Sequence, residues 1–301
     1  MSHPVKSKAN AWLQLIRLPN LFTVPGDPLA GYLLALPAMT PVNLRTTVLL
    51  CITALSFYTC GLITNDIADI KEDRRERPHR PLPSNRIALP AAWTGALLLT
   101  VFGLLTACLV STSTLIVSFI LLALILSYNF YAKQHRIIGP VCMGLCRGCS
   151  LLLGAAALNL TPTAAIAALS VTAYITAVTV IARQETQQAI RPSSHKWHIP
   201  LILTAGLSLV LCMQQHVNVL PLLPALLMLA AVANALLISL RLGNQLSPQR
   251  TPAFIGKYIR NLLIIQATLC AIHPSAGMCF AIPLLLLYPL SATCSKRFYA
   301  S

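Results

Sequence analysis

Ten stretches of about 20 residues, each nearly free of charge, succeed one another along the chain. They lie near residues 21–40, 46–64, 90–110, 113–131, 138–158, 163–182, 199–215, 218–240, 253–272 and 276–294, and every connector but 65–89 is short. That length matches the hydrocarbon thickness of a bilayer, where only a helix satisfies its own backbone polar groups. A soluble surface is excluded, because 10% of the 301 residues are charged against about 25% in ordinary soluble domains. The sequence therefore predicts an all-α integral membrane protein, one membrane domain over residues 1–301. Pro25, Gly26, Asp27 and Pro28 interrupt the first stretch, which predicts a kinked or partly unwound helix there. An interrupted start followed by further spans also argues against a cleaved signal.

The basic residues give the orientation. Lys6, Lys8 and Arg17 precede the first span, Lys71 to Arg86 follow the second, and Lys133 and Arg136 follow the fourth. Arg183, Arg191 and Lys196 follow the sixth; Arg241, Arg250, Lys257 and Arg260 lie between the eighth and ninth; Lys296 and Arg297 come last. All fall on one side if residues 1–20 are cytoplasmic and the span count is even, and a bacterial inner membrane suits this pattern. Arg45 and Arg147 are left over. The net charge of +15 then reports sidedness and contact with anionic lipid headgroups. A nucleic-acid partner is not expected, since no basic soluble domain is present.

Ten cysteines are scattered mostly through the apolar spans, where a thiol packs as a small hydrophobe. Cys142, Cys146 and Cys149 share a helix face, but no histidine or fourth cysteine stands in register to complete a soft-metal site.

The acids are the informative minority. Five of the seven (Asp66, Asp69, Glu72, Asp73, Glu76) fall within residues 66–76, and only Asp27 and Glu185 lie elsewhere. On a continuing helix Asn65, Asp69 and Asp73 are spaced i, i+4, i+8 and form one stripe, with Asp66 beside it. Oxygen side chains so arranged at a membrane helix end suit Mg²⁺, which prefers hard oxygen ligands and shares them with phosphate. The alternative is a solvated loop whose acids pair with Arg74, Arg75 and Arg77. Concentrating scarce acids in helical register at the membrane edge favours a site.

The same segment resembles the UbiA superfamily of membrane prenyltransferases. Its Asn-x-x-x-Asp-x-x-x-Asp signature is matched by Asn65, Asp69 and Asp73, and the run that follows by Arg77-Pro78-His79-Arg80-Pro81-Leu82-Pro83-Ser84. The glycine usual after that serine is Asn85, which tolerates a left-handed turn. Tyr128-Asn129-Phe130-Tyr131-Ala132-Lys133 is similar to the end of the family's fourth helix. Cys146-Arg147-Gly148-Cys149-Ser150 and Leu18-Pro19-Asn20 with Asp27 are similar to an EboC-like branch, which has Asn where this chain has Ser150.

The resemblance implies a bundle of nine to ten transmembrane helices, with residues 65–89 as a cytoplasmic active-site loop and residues 276–294 as an extra helix. It implies Mg²⁺ held by Asn65, Asp66, Asp69 and Asp73. The family's second Asp-x-x-x-Asp motif corresponds here to Ile181–Gln188, whose one acid is Glu185. Either Glu185 holds one metal alone while Arg183 replaces the second cation, or the second site is lost and the chain binds a phosphorylated lipid without ionising it. Arg77, Arg80, Lys133, Arg147 and Arg183 are the expected diphosphate ligands, with Asp69, Asp73, Lys133 and Arg147 catalytic. Arg147 lies mid-span and needs a partner; the acidic segment or its bound diphosphate is the expected one. Asp27 is read as facing the cavity or capping the broken helix.

The implied activity is transfer of a prenyl group from an isoprenyl diphosphate to an aromatic or lipid acceptor in the membrane. Two further readings stand beside it: a carrier or scaffold for a lipid-linked or pigment precursor, and a prenyl diphosphate cyclase or hydrolase.

Overall fold

The computed structural model describes residues 8–184, 194–213, 222–242 and 251–298. Among these residues every regular element is helical. In chain order they are α1 (Lys8–Leu15), α2 (Leu18–Leu21), α3 (Gly26–Ala35), α4 (Leu44–Ala68), α5 (Ile70–Glu76), α6 (Leu89–Cys108) and α7 (Thr112–Phe130). A 3₁₀ turn over Ala132–Gln134 leads to α8 (Ile138–Ala155), α9 (Pro162–Gln184), α10 (His198–Met213), α11 (Leu222–Leu242), α12 (Thr251–Ala271) and α13 (Gly277–Phe298).

Each of the ten apolar stretches contains one of these helices. Seven are long and apolar enough to cross a membrane: α4, α6, α7, α8, α9, α11 and α13. The chain is thus a multi-pass integral membrane protein. Of the other three, α10 is shorter at 16 residues, α12 carries Lys257 and Arg260, and α3 has only 10 residues. The Pro-Gly-Asp-Pro sequence marks the start of α3: Pro25 is its N-cap, and Gly26, Asp27 and Pro28 form its first turn, where a proline is tolerated. Helix α13 reads through Pro283 and Pro289 and packs on α12, α2 and α3 at the edge of the bundle.

Neighbours in sequence are neighbours in space, which short connectors enforce. The series α4, α6, α7, α8, α9, α10, α11 and α12 packs pairwise, and α3 closes the circuit by touching both α12 and α4. Outward faces carry large apolar side chains such as Phe102, Phe119 and Leu226, as a lipid-facing bundle requires.

The short α3 is pressed against α8. A Cβ built on Gly31 would lie 1.9 Å from the Leu151 carbonyl oxygen, and one on Gly154 would lie 1.9 Å from that of Pro28. Two glycines thus let these backbones approach more closely than any side chain permits, the usual device where helices pack within lipid. This contact fixes Asp27 on α3 relative to Arg147 on α8.

Candidate functional site

The acidic stripe survives a helix break. Helix α4 ends at Ala68, Asp69 leaves the helical region (φ −88°, ψ 1°), and α5 begins at Ile70. Register is kept by backbone bonds from Asp69 N–H to the Asn65 carbonyl (3.0 Å) and from Asp73 N–H to the Asp69 carbonyl (2.8 Å). Asn65 Nδ2 donates to Asp69 Oδ2 at 3.2 Å.

Each of these acids has its own cation. Arg17 Nη2 lies 3.1 Å from Asp66 Oδ1, Arg80 Nη1 lies 2.7 Å from Asp73 Oδ2, and Lys133 Nζ is paired with Asp69 Oδ1. The partners are therefore not Arg74 and Arg75, nor the exposed Arg77; they arrive from the N-terminal segment, the loop after α5 and the turn after α7. These contacts bring to one end of the bundle segments that the charge pattern assigns to one side. The loop that delivers Arg80 is held by Ser84 Oγ donating to the Arg80 carbonyl (2.6 Å) and Arg86 Nη2 donating to that of His79 (2.7 Å). Its turn is left-handed at Asn85 (φ 56°), as expected of an asparagine in a glycine's place.

A preformed metal cage is absent among the described residues: no three of His, Cys, Asp or Glu come close enough to share an ion. Asp66, Asp69 and Asp73 instead form three separate ion pairs on one segment. The donor set still fits Mg²⁺ in one way. This metal is commonly bound by one or two carboxylates together with phosphate oxygens and water, and Asp69, partnered by the Asn65 amide, supplies such a ligand. Glu185 lies outside the described residues.

Below the acids is a cavity of about 360 Å³. Asn65 and Arg17 line its polar end, and Phe57, Leu121, Ile125 and Ile175 belong to its apolar wall. Tyr128 and Asn129 of α7 also face it. Asn129 Nδ2 donates to the Gly61 carbonyl (2.9 Å) and to Thr64 Oγ1 (2.7 Å), tying α7 to the last turns of α4.

Arg147 lines the same cavity, but its carboxylate partner is Asp27 rather than the acidic segment. Nε lies 2.9 Å from Asp27 Oδ2, and Nη2 donates to the Thr23 carbonyl (2.8 Å) and hydroxyl (3.0 Å). Gln266 of α12 donates to both the Thr23 carbonyl and Asp27 Oδ1, each at 2.7 Å. Asp27 is fully buried. Sequence reasoning found Asp27 and Arg147 separately without pairing them, and it missed Gln266, whose amide in an apolar span was the available signal. It also read Arg17 only as a marker of sidedness. In the fold Arg17 has a left-handed backbone (φ 47°), strain of the sort that functional positions retain.

Arg183 ends α9 and donates to the His135 carbonyl, with a longer bond to that of Gln134. It thus braces the turn that carries Lys133. The three thiols of α8 form no metal group; Cys142 and Cys149 donate to carbonyls of Leu124 and Val117 on α7.

Residues 28–262 match the model of the UbiA prenyltransferase family. The chain is similar to digeranylgeranylglyceryl phosphate synthases of Methanoculleus marisnigri, 29% identical over 147 residues covering 49% of this chain and 51% of that one. For Methanococcus aeolicus the figures are 31% over 157 residues, 50% and 54%. The chain thus spans about half the length of these curated relatives. Among solved structures, one from work on digeranylgeranylglyceryl phosphate synthase superposes with a TM-score of 0.63 at 20% identity, over 91% of this chain and 99% of the other. A UbiA homologue from Archaeoglobus fulgidus bound to GPP and Mg²⁺ gives a TM-score of 0.63 at 13% identity, over 87% and 99%. At such identities these likenesses show the shared fold; with the family match over most of its length, the chain belongs to the UbiA prenyltransferase family.

Proposed function

We propose that the chain is a Mg²⁺-dependent prenyltransferase that moves a prenyl group from an isoprenyl diphosphate to a membrane-associated acceptor. One observation carries this reading: acids and cations in equal pairs stand at the mouth of an apolar cavity, with Asn65 belonging to both. The names of the relatives and the GPP and Mg²⁺ bound to a structural neighbour support the same class.

Asn65, Asp69 and Asp73, with Asp66 adjacent, would hold the metal. A metal held there would supply positive charge against the diphosphate oxygens and so favour departure of the leaving group. Lys133 and Arg80, released from Asp69 and Asp73, turn to the same anion, and their charge stabilises what accumulates on it as the allylic C–O bond breaks. Phe57, Leu121, Ile125 and Ile175 surround the prenyl chain and keep water from the electron-poor carbon. The acceptor attacks C1 within this dry space as the C–O bond breaks, and the proton it loses passes to the departing diphosphate. The mouth faces the cytoplasm, following the distribution of Lys and Arg.

The test is diphosphate release by the purified chain from dimethylallyl, geranyl and geranylgeranyl diphosphate, with Mg²⁺ and with a chelator. Release that needs Mg²⁺ and disappears in Asp69→Ala is expected. No release from any donor, in a folded chain supplied with membrane extract as acceptor source, would sink the transferase reading.

A further inference from the structure

The guanidinium of Arg147 is only partly used. Its Nε faces Asp27 and its Nη2 is bound to Thr23, whereas Nη1 donates to no oxygen among the described residues. Ser150 stands three residues on, on the same face of α8, and its hydroxyl also has no partner there. Both residues are buried, 8% and 6% exposed, and both line the cavity. Two polar groups without a protein partner therefore look into a chamber whose wall is mainly apolar, and such groups call for a ligand.

Their depth separates them from the acids. The Arg147 guanidinium lies 5.9 Å from the ring of Tyr58, seven residues before Asn65 on α4. At 1.5 Å per residue the Tyr58 backbone lies roughly 10 Å below that of Asn65. A diphosphate held at Asn65 and Asp69 does not reach so far, since it is the compact head of its substrate.

Charge then selects the ligand. Arg147 is already neutralised by Asp27 in the bundle interior, so an anion arriving at Nη1 would leave net negative charge away from water, at high cost. A neutral oxygen satisfies the free donors without that cost. Building on the transferase reading, we propose that Arg147 Nη1 and Ser150 Oγ form a binding point for an uncharged carbonyl, ether or hydroxyl oxygen of the second substrate, distinct from the diphosphate mouth.

The experiment uses the full chain in detergent and a matched pair of probes, methyl 4-hydroxybenzoate and 4-hydroxybenzoate. Calorimetric titrations are made with Mg²⁺ and geranyl thiodiphosphate, an unreactive donor analogue, already bound. The ester is expected to bind at least about ten-fold more tightly than the carboxylate. Ser150→Ala, which leaves the ion pair intact, should weaken the ester about five-fold. Asp27→Asn/Arg147→Met should weaken it further while leaving donor-analogue affinity within about three-fold of wild type. Absence of ester binding, equal binding of the carboxylate, or loss of donor analogue in the Arg147 variant as large as in Asp69→Asn would each overturn the inference. Failure of the wild-type chain to bind the donor analogue would instead strike at the transferase reading itself.

Discussion

Arg147 on α8 and Asp27 on α3 form an ion pair of 2.9 Å in the interior of the bundle. Asp27 has no exposed surface and Arg147 keeps 8% of its own, on the cavity side. The pair is completed by Thr23 and Gln266, so three helices and the turn that leads into α3 meet at one polar knot. A knot of this kind stabilises only as a whole, because either charge alone would be stranded in an apolar interior.

The effects of single and double substitutions should therefore be non-additive. Arg147→Leu or Asp27→Leu alone is expected to cost about 3–5 kcal/mol of stability, whereas the double variant should cost clearly less than either sum. Thermal unfolding of the four proteins in one detergent measures this. Additive losses would mean that the two charges act independently.

The three outer pairs carry a different consequence. Asp66, Asp69 and Asp73 are paired with Arg17, Lys133 and Arg80. A divalent cation arriving alone must compete with these partners for the carboxylates, and a diphosphate arriving alone must compete for the cations. When both arrive, each takes what the other frees. Mg²⁺ and inorganic pyrophosphate should then tighten one another's binding by about five- to a hundred-fold, a coupling of 1–3 kcal/mol. Titration of each ligand with and without the other measures it, and independent binding would contradict the exchange.

How much of this was legible in the sequence follows from what each interaction depends on. The spans were readable because lipid demands about 20 apolar residues whatever surrounds them, and Asn65, Asp69 and Asp73 were readable because helical period alone aligns them. The broken α3 was readable from its prolines. The pairing of Asp27 with Arg147, 120 positions apart, was not, because it depends on two glycines that let α3 and α8 touch. Nor were the partners of the acids legible: Arg17, Arg80 and Lys133 reach them through the course of three connectors, while nearer arginines point away.

Asn85 offers a test of that loop without altering any charge. Its left-handed backbone costs little for asparagine and nothing for glycine, but about 1–2 kcal/mol for a branched side chain. Asn85→Gly should bind Mg²⁺ with pyrophosphate as the parent does. Asn85→Val should displace the turn that sets Arg80 on Asp73 and weaken that binding about ten-fold. Equal affinities for the two variants would show that the turn has no part in placing Arg80.

Lys133 separates the two roles assigned to the outer cations. It is paired with Asp69, and in the proposed function it turns to the diphosphate. Removing the charge should therefore move two affinities in opposite directions. In Lys133→Met, Asp69 loses its competitor, so Mg²⁺ alone should bind more tightly, by about five-fold for a partly exposed pair worth some 1 kcal/mol. Pyrophosphate in saturating Mg²⁺ should bind more weakly by a similar factor, having lost one of its cations. Paired titrations on one preparation read both constants. If both affinities fell, Lys133 would be a brace for the turn after α7, and the exchange of partners at Asp69 would be wrong.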